Sequence, residues 1–144
     1  MTQLHPVQNE RTMLVTTVIL NCERIFADQA YARLAVEVLY RTQSAFPFFL
    51  YAFVVMPDHV HFLVRVPEGG SISRIMQFYK KIVSFDIGKP IWQPRFDLRL
   101  IDYPAEAKRY IHQNPVRAHL CTEEQMYPWS SASGRWDVTE LSEW

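Results

Sequence analysis

Short apolar runs and longer amphipathic stretches alternate along the chain, separated by proline, glycine and aspartate. Thr12–Leu20, Phe48–Met56 and His59–Val66 are rich in β-branched or aromatic residues, which favours buried strands. Ile91–Ile101 alternates apolar with charged side chains, a pattern typical of a strand that is exposed on one face. These patterns predict four strands. Pro94 predicts that the last of them is an edge strand or begins with a bulge.

Helical periodicity appears between the predicted strands. Asp28 is a suitable N-cap for a helix that reaches about Phe46, where Pro47 would stop it. Ser71 is a suitable N-cap for a second amphipathic helix that ends at Gly88–Pro90.

A third helix is predicted after the last strand. Pro104 favours its first turn, and the helix would run through Ala105–Gln113. Asn114-Pro115 should end or kink it, because a residue that precedes proline disfavours the α conformation. Val116–Leu120 could then form a second short helix.

The predicted order of elements is βαββαβ followed by a helix, which indicates an α+β ferredoxin-like sandwich with an antiparallel sheet and two helices on one face. In that topology the first and third strands are central. The strand that begins at His59 would lie in the middle of the sheet, and the last helix could cover the open face. We predict one domain over residues 1–131 and an acidic C-terminal tail over residues 132–144.

The formal net charge is zero, but the charges are unevenly distributed. Residues 1–120 have a balance of +4, and residues 121–144 have a balance of −4. A basic body is compatible with a polyanionic partner such as nucleic acid. No apolar run reaches the length of a membrane span, and Cys22 and Cys121 form no CxxC motif. These features predict a cytoplasmic protein, without a membrane partner, in a reducing compartment.

Two pairs of polar side chains could carry chemistry. His59 and His61 are two residues apart in a predicted strand, so both imidazoles would point to one face, about 7 Å apart along the chain. Tyr110 and Asn114 are four residues apart and would share one helix face. Two imidazoles and an amide could bind Mg²⁺, Mn²⁺ or Zn²⁺, and a phenol beside such an ion could attack a phosphate. Taken singly, the same residues are more typical of hydrogen-bonded or core positions.

Several basic and aromatic residues are candidates for contact with a nucleic-acid backbone or with unpaired bases. These candidates are Arg74, Lys80, Lys81, Trp92, Gln93, Arg95 and Arg117. A solvated charged surface explains each basic residue individually about as well. Trp92 and Gln93 are more often core residues. The chain contains no GxSxG, P-loop, HExxH or dinucleotide-binding glycine pattern.

Four blocks of the sequence, in order, resemble one family. Met56–Leu63 resembles the HUH motif of the single-tyrosine (Y1) transposases of the IS200 type. Tyr110–Ala118 resembles the tyrosine-helix motif of the branch called REP-associated tyrosine transposases, and Ile91–Phe96 and Tyr127–Ser131 resemble that branch as well. His119 stands where a glycine is common in the branch.

The resemblance implies a ferredoxin-like fold, a divalent metal ion (Mg²⁺ or Mn²⁺) and action on single-stranded or hairpin DNA in a bacterial nucleoid. By match to the motifs, His59 and His61 correspond to metal ligands, Asn114 to the third ligand and Tyr110 to the nucleophile. The implied reaction is a transesterification through a 5′-phosphotyrosine intermediate that releases a 3′-OH, at a hairpin-forming repeat with a guide tetranucleotide beside it. The protein could act as a monomer or a homodimer.

Three functions are compatible with these residues. The first, which we predict, is a metal-dependent enzyme that nicks and joins DNA. The second is a non-catalytic nucleic-acid-binding module built on the same fold. The third is a small hydrolase in which a metal ion at His59 and His61, such as zinc, activates water.

Overall fold

The computed structural model describes residues 5–141, and the order of its main elements agrees with the predicted order. The last three residues of the predicted acidic tail lie outside the described part. The strands are β1 (Thr12–Ile19), β2 (Phe49–Val55), β3 (His59–Arg65) and β4 (Trp92–Leu100). The helices are α1 (Gln29–Ala45), α2 (Ile72–Ile87) and α3 (Pro104–Arg117).

The four strands form one antiparallel sheet in the order β2-β3-β1-β4. The central positions of β1 and β3 confirm the ferredoxin-like prediction. β4 is an edge strand, and its pairing with β1 shifts register between Thr17 and Ile19, opposite the segment that contains Pro94. Both features predicted from this proline are therefore present, because an edge strand can leave the missing N–H group unpaired.

The two faces of the sheet carry different layers. α1 and α2 cover one face, and the strand residues that pack there include Val60 and Phe62. α3 packs on the other face over β2 and β3, where Leu63 lies in a smaller apolar cluster with Ile111 of α3. Because side chains alternate along a strand, His59 and His61 share the side of Leu63. The histidine strand thus presents both imidazoles toward α3.

The N-terminal caps agree with the sequence analysis. The Asp28 carboxylate accepts a hydrogen bond from the backbone N–H of Ala30 at 2.9 Å. The Ser71 hydroxyl accepts one from the backbone N–H of Arg74 at 3.3 Å. Each cap satisfies an N–H group that has no partner within the helix.

The predicted end of α3 at Asn114-Pro115 and the predicted second short helix were wrong. The helix continues through Pro115 to Arg117, and residues 118–120 form a turn instead of a second helix. Pro115 is buried and lies in the last turn, where its missing N–H removes only one helical hydrogen bond. The N–H of Leu120 reaches back to the carbonyl of Pro115 at 2.9 Å, and His119 has a φ of 60°. This left-handed conformation is one that glycine adopts at no steric cost, so His119 occupies a position that favours glycine.

The C-terminal segment packs along the outer edge of β2. The carbonyl of Trp129 accepts a hydrogen bond from the N–H of Val55 at 2.8 Å, and the N–H of Thr139 donates to the carbonyl of Leu50 at 2.8 Å. The Trp136 ring stacks on Tyr40, with ring centroids 6.3 Å apart. Residues 132–141, which the sequence analysis assigned to an acidic tail, therefore lie against the body of the domain.

Within residues 5–141, no helix has both the length and the apolar character that a membrane crossing requires. Cys22 and Cys121 are both free thiols.

Ser131 connects the C-terminal segment to the sheet and to α3. Its hydroxyl accepts a hydrogen bond from the N–H of Phe53 at 3.0 Å and lies 2.7 Å from Nε2 of His112.

We predict that Ser131→Ala lowers the free energy of unfolding by about 1–3 kcal/mol, because buried polar partners lose their bond. Urea denaturation would measure this loss. The control, Ser44→Ala, removes an exposed hydroxyl that bonds only its own helix and should change stability by less than about 0.5 kcal/mol. Equal losses in the two variants would contradict the connecting role of Ser131.

Candidate active site

Two imidazoles of β3 lie side by side beneath α3. The ring centroids of His59 and His61 are 4.7 Å apart, and the ring planes are nearly perpendicular at 80°. His59 begins the strand directly after the Pro57-Asp58 turn. His61 lies two residues further along the strand, and its exposed fraction is only 6%. The spacing of two residues along an extended strand brings both rings to one place on the sheet, as the sequence predicted.

Each imidazole has a hydrogen-bond partner at Nδ1. Nδ1 of His59 lies 2.6 Å from Oδ1 of Asp58. Nδ1 of His61 lies 2.8 Å from Oγ1 of Thr16, its cross-strand partner on β1. The remaining ring nitrogen, Nε2, is therefore the atom of each histidine that can bind a metal ion.

The protonation of His61 also suits metal binding. Burial, followed by nearby positive charges that include His59 and Arg117, lowers the pKa of His61 from 6.5 to about 3. The ring is thus neutral near pH 7. A neutral imidazole is the form that ligates metal ions, because protonation removes the lone pair that would make the bond.

Tyr110 of α3 lies on the same side of the sheet as the histidines. Its ring centroid is 5.7 Å from that of His61, at an angle of 69°, and the side chain is 46% exposed. The guanidinium carbon of Arg117 lies 4.6 Å from the centroid of the Tyr110 ring, and Nη2 of Arg117 donates to the carbonyl of Tyr110 at 2.8 Å. The phenol is therefore accompanied by an imidazole and a guanidinium, and its partial exposure allows a substrate to reach it.

Asn114 lies one helical turn after Tyr110 and is half-buried, on the helix that packs over β2 and β3. In the described part of the chain, no three His, Cys, Asp or Glu side chains come together in a group that could hold a metal ion. The amide oxygen of Asn114 is a candidate for a further ligand beside the two histidines. Two nitrogens and one amide oxygen, without a thiolate, fit a divalent ion such as Mn²⁺ or Mg²⁺ and leave coordination positions open for substrate.

A cleft of about 570 Å³ extends from His61 and Tyr110 between β4 and α3. Its lining also includes polar residues that the sequence analysis did not select as site residues, among them Asp97, Arg99 and Tyr103. The alternation in β4 showed that Asp97 and Arg99 share one face. Their position beside the histidines follows only from the register, in which Thr16 pairs with both His61 and Asp97. Sequence offers no direct signal for that register.

Two of the predicted DNA contacts, Trp92 and Lys80, make contacts within the protein. Trp92 is buried, and its ring lies 5.7 Å from that of Phe26 and 6.1 Å from that of Tyr79. Its Nε1 donates to the carbonyl of Lys80 at 3.1 Å, and the Lys80 ammonium donates to the carbonyl of Gln93 at 2.8 Å. Burial lowers the pKa of Lys80. These contacts join α2 to β4, and they leave the Trp92 ring faces in the core, where a base cannot stack on them.

The other predicted DNA contacts occupy different surfaces. Arg74 and Lys81 are exposed on α2, which covers the face of the sheet opposite the histidines. Gln93 and Arg95 lie near the start of β4, and Arg95 is exposed. Arg117 is the predicted contact that lies against Tyr110.

Comparison with known proteins places this geometry in context. A REP-associated tyrosine transposase of Escherichia coli K12 is 32% identical over 90 residues, which cover 59% of this chain and 54% of that protein. The chain thus matches about half the length of this curated relative.

The fold has matches among solved structures. The structure of a REP-associated tyrosine transposase bound to a REP hairpin aligns with a TM-score of 0.79 and 26% identity, over 99% of this chain and 96% of that one. A crystal structure of a candidate transposase from Deinococcus radiodurans aligns with a TM-score of 0.58 and 17% identity, over 77% of this chain and 95% of that one, and supports the fold alone.

A sequence model of the family described as "Transposase IS200 like" matches residues 12–114. This range includes both histidines, Tyr110 and Asn114. The match covers well over half of the chain. The structural match to the hairpin-bound relative agrees with this family assignment. The protein therefore belongs to the IS200-like transposase family.

Proposed function

We propose that this protein is a metal-dependent enzyme that nicks and rejoins single-stranded DNA at hairpin-forming sequences. The observation that carries the proposal is the contact of Tyr110 with His61, on the side of the sheet where both imidazoles lie. It puts a potential nucleophile next to two side chains that can bind a metal ion. The hairpin bound by a structural relative supports hairpin DNA as the substrate, of the REP type or similar.

His59, His61 and Asn114 would hold the divalent ion, Mg²⁺ or Mn²⁺. When bound, such an ion polarises a phosphate oxygen and offsets the negative charge that develops during attack. Tyr110 then forms a bond from its phenolic oxygen to phosphorus and gives up its proton. The bond between phosphorus and the 3′ oxygen breaks, and that oxygen gains a proton. The products are a 5′-phosphotyrosine and a free 3′-OH.

The covalent product explains why joining requires no nucleotide cofactor. One phosphoester bond is formed for each one broken, so a 3′-OH that attacks the phosphotyrosine restores a DNA strand and the free phenol. Arg117 is placed to assist both directions. One of its N–H groups is committed to the carbonyl of Tyr110, and its remaining donors can bind a phosphate oxygen next to the phenol.

Contacts with DNA outside the active site are proposed for exposed cations. Arg74 and Lys81 on α2 and Arg95 on β4 are exposed and remain candidates for contacts with the phosphate backbone. Such contacts would position the DNA without reading its sequence. Gln93 is half-buried and is a weaker candidate. The oligomeric state, monomer or homodimer, stays open in this proposal.

The central test is the covalent adduct. We expect the protein to form a denaturation-resistant complex with hairpin-bearing single-stranded DNA in the presence of Mg²⁺ or Mn²⁺, seen as a shifted band in a denaturing gel. Tyr110→Phe keeps the ring contacts but removes the nucleophile, so the adduct should disappear. Tyr31→Phe, on exposed α1 surface, is the control and should form it normally. DNA binding without an adduct under any metal would indicate a non-catalytic binding module. Cleavage that survives Tyr110→Phe would indicate attack by water.

The third metal ligand has a separate test. We predict that Asn114→Ala weakens Mn²⁺ binding by at least about tenfold, the order of effect expected for loss of a contact around a metal ion. Isothermal titration calorimetry would measure the change. Gln113→Ala is the matched control. The Gln113 side-chain amide donates to the Glu124 carboxylate at 2.7 Å, so its loss should not affect the affinity for Mn²⁺. Similar affinities for Asn114→Ala and the unmodified protein would remove Asn114 from the ligand set.

The buried imidazole predicts acid sensitivity. In the unfolded chain His61 takes up a proton near pH 6.5, whereas in the folded chain its pKa is about 3. Between these values the unfolded state binds more protons, so stability falls as the pH falls, by up to about 1.4 kcal/mol per pH unit for this group. Urea denaturation of the metal-free protein from pH 7 to pH 4 would show this loss. The stability of His61→Gln should fall less steeply with pH. Parallel curves of stability against pH for the variant and the parent would contradict the attribution of this loss to His61.

A further inference from the structure

Two side chains contact the imidazoles but have no role in the reaction proposed above. Asp58 reaches His59, and Thr16 reaches His61, each at Nδ1. We propose that Asp58 and Thr16 are positioning residues that hold the two rings with Nε2 directed to a shared metal ion, and that only Asp58 also fixes the proton position. This inference rests on the proposed metal site of the preceding subsection.

The carboxylate of Asp58 controls which nitrogen of His59 carries the proton. A carboxylate accepts hydrogen bonds, so the 2.6 Å contact with Asp58 favours a proton on Nδ1 of His59. In a neutral ring, this leaves a lone pair on Nε2. The aspartate therefore selects the tautomer that can ligate a metal ion, and its charge strengthens the donor character of the imidazole.

The backbone holds Asp58 in place from two directions. The carbonyl of Asp58 accepts a hydrogen bond from the N–H of Ile19 at 2.9 Å, at the end of β1. The carbonyl of Pro57 accepts one from the N–H of Phe26 at 3.0 Å. The N–H of Met56 closes the turn onto the carbonyl of His59 at 2.8 Å. The turn is thus fixed to the body of the domain, and the carboxylate has a defined position before any ion binds.

Thr16 acts on His61 in a different way. It lies on β1, which is hydrogen-bonded to β3 on one side and to β4 on the other, so its hydroxyl is held by two strand ladders. A hydroxyl can donate or accept, and the 2.8 Å contact is compatible with either tautomer of His61. Thr16 therefore fixes the orientation of the ring while leaving its proton free to shift. Metal binding would select the form with the proton on Nδ1.

This difference leads to a specific expectation for the metal-free protein. His59 should exist as one tautomer, with the proton on Nδ1. His61 should show a mixture of tautomers that becomes a single Nδ1–H form when the ion binds. The ¹⁵N chemical shifts of imidazole nitrogens distinguish protonated from unprotonated positions, and they can be measured at pH 8 without any catalytic assay.

The experiment compares two variants with two matched controls in the full-length chain. Asp58→Asn replaces the carboxylate by an amide that can donate to Nδ1 of His59. This favours the tautomer with the proton on Nε2, which cannot ligate a metal ion through that nitrogen. Asp86→Asn controls for the lost charge, because Asp86 lies on α2, on the opposite face of the sheet, and is paired with Arg41 at 3.0 Å. Thr16→Val removes the hydroxyl at constant shape. Thr17→Val is its control.

Thr17 is a close control because it adjoins Thr16 and points to the opposite side of the sheet. Its hydroxyl is buried and has no hydrogen-bond partner in the described part of the protein. Replacement by valine should therefore leave the protein as stable as before or more stable. Thermal unfolding of all four variants would verify that each is folded.

We expect Asp58→Asn to bind Mn²⁺ about 10–100-fold more weakly and to shift the His59 signals toward the Nε2–H form. Thr16→Val should weaken binding by about tenfold without changing His59. Both controls should stay within about threefold of the parent, well below the loss expected for a histidine partner. A parent that binds Mn²⁺ and forms the DNA adduct, together with an Asp58→Asn variant that binds equally well and keeps the tautomer, would overturn this inference alone. A parent that binds no Mn²⁺ would overturn the proposed function and this inference together.

Discussion

The site depends on the pairing of β1 with β3, the two central strands. Their register sets Thr16 opposite His61 and so decides which side chains of both strands face α3. A slip by one residue would turn His59 and His61 toward α1 and α2 and would bring Val60 and Phe62 to the open face. The apolar residues of β3 prevent such a slip, because they are buried among the helices. Core packing therefore also determines where the imidazoles point.

The second half of the site comes from α3, and its position depends on the C-terminal segment. His112 is buried next to Ser131, whose hydroxyl also accepts from the N–H of Phe53. The Tyr127 hydroxyl donates to the carbonyl of Val55 at 2.7 Å. Two of the blocks that resemble the REP-associated branch, Tyr110–Ala118 and Tyr127–Ser131, are thus in direct contact. The two blocks occur together because the second attaches the helix that carries Tyr110 to the sheet.

Sequence alone predicted the strands, the caps and the sharing of one face by the histidines, since these follow from periodicity and local chemistry. It failed where tertiary contacts decide the outcome. The helix continues through Pro115, whose ring is buried and whose missing N–H removes only one hydrogen bond near the helix end. Trp92 belongs to the core because Tyr79 of α2 and Phe26 pack against its ring, which its flanking polar residues concealed. Asp97 and Arg99 were assigned to a polar face of β4, but their proximity to His61 required the register of three strands.

The outer edges of the sheet differ in a way that affects the protein's behaviour in concentrated solution. The C-terminal segment covers the edge at β2, so within residues 5–141 the open edge is that of β4. An open edge can recruit strands from other chains and lead to aggregation. Here Pro94 removes a donor, the register shift interrupts the ladder, and Arg95, Asp97 and Arg99 place charges along the strand. This edge borders the cleft, so the features that discourage strand addition lie beside the approach to Tyr110.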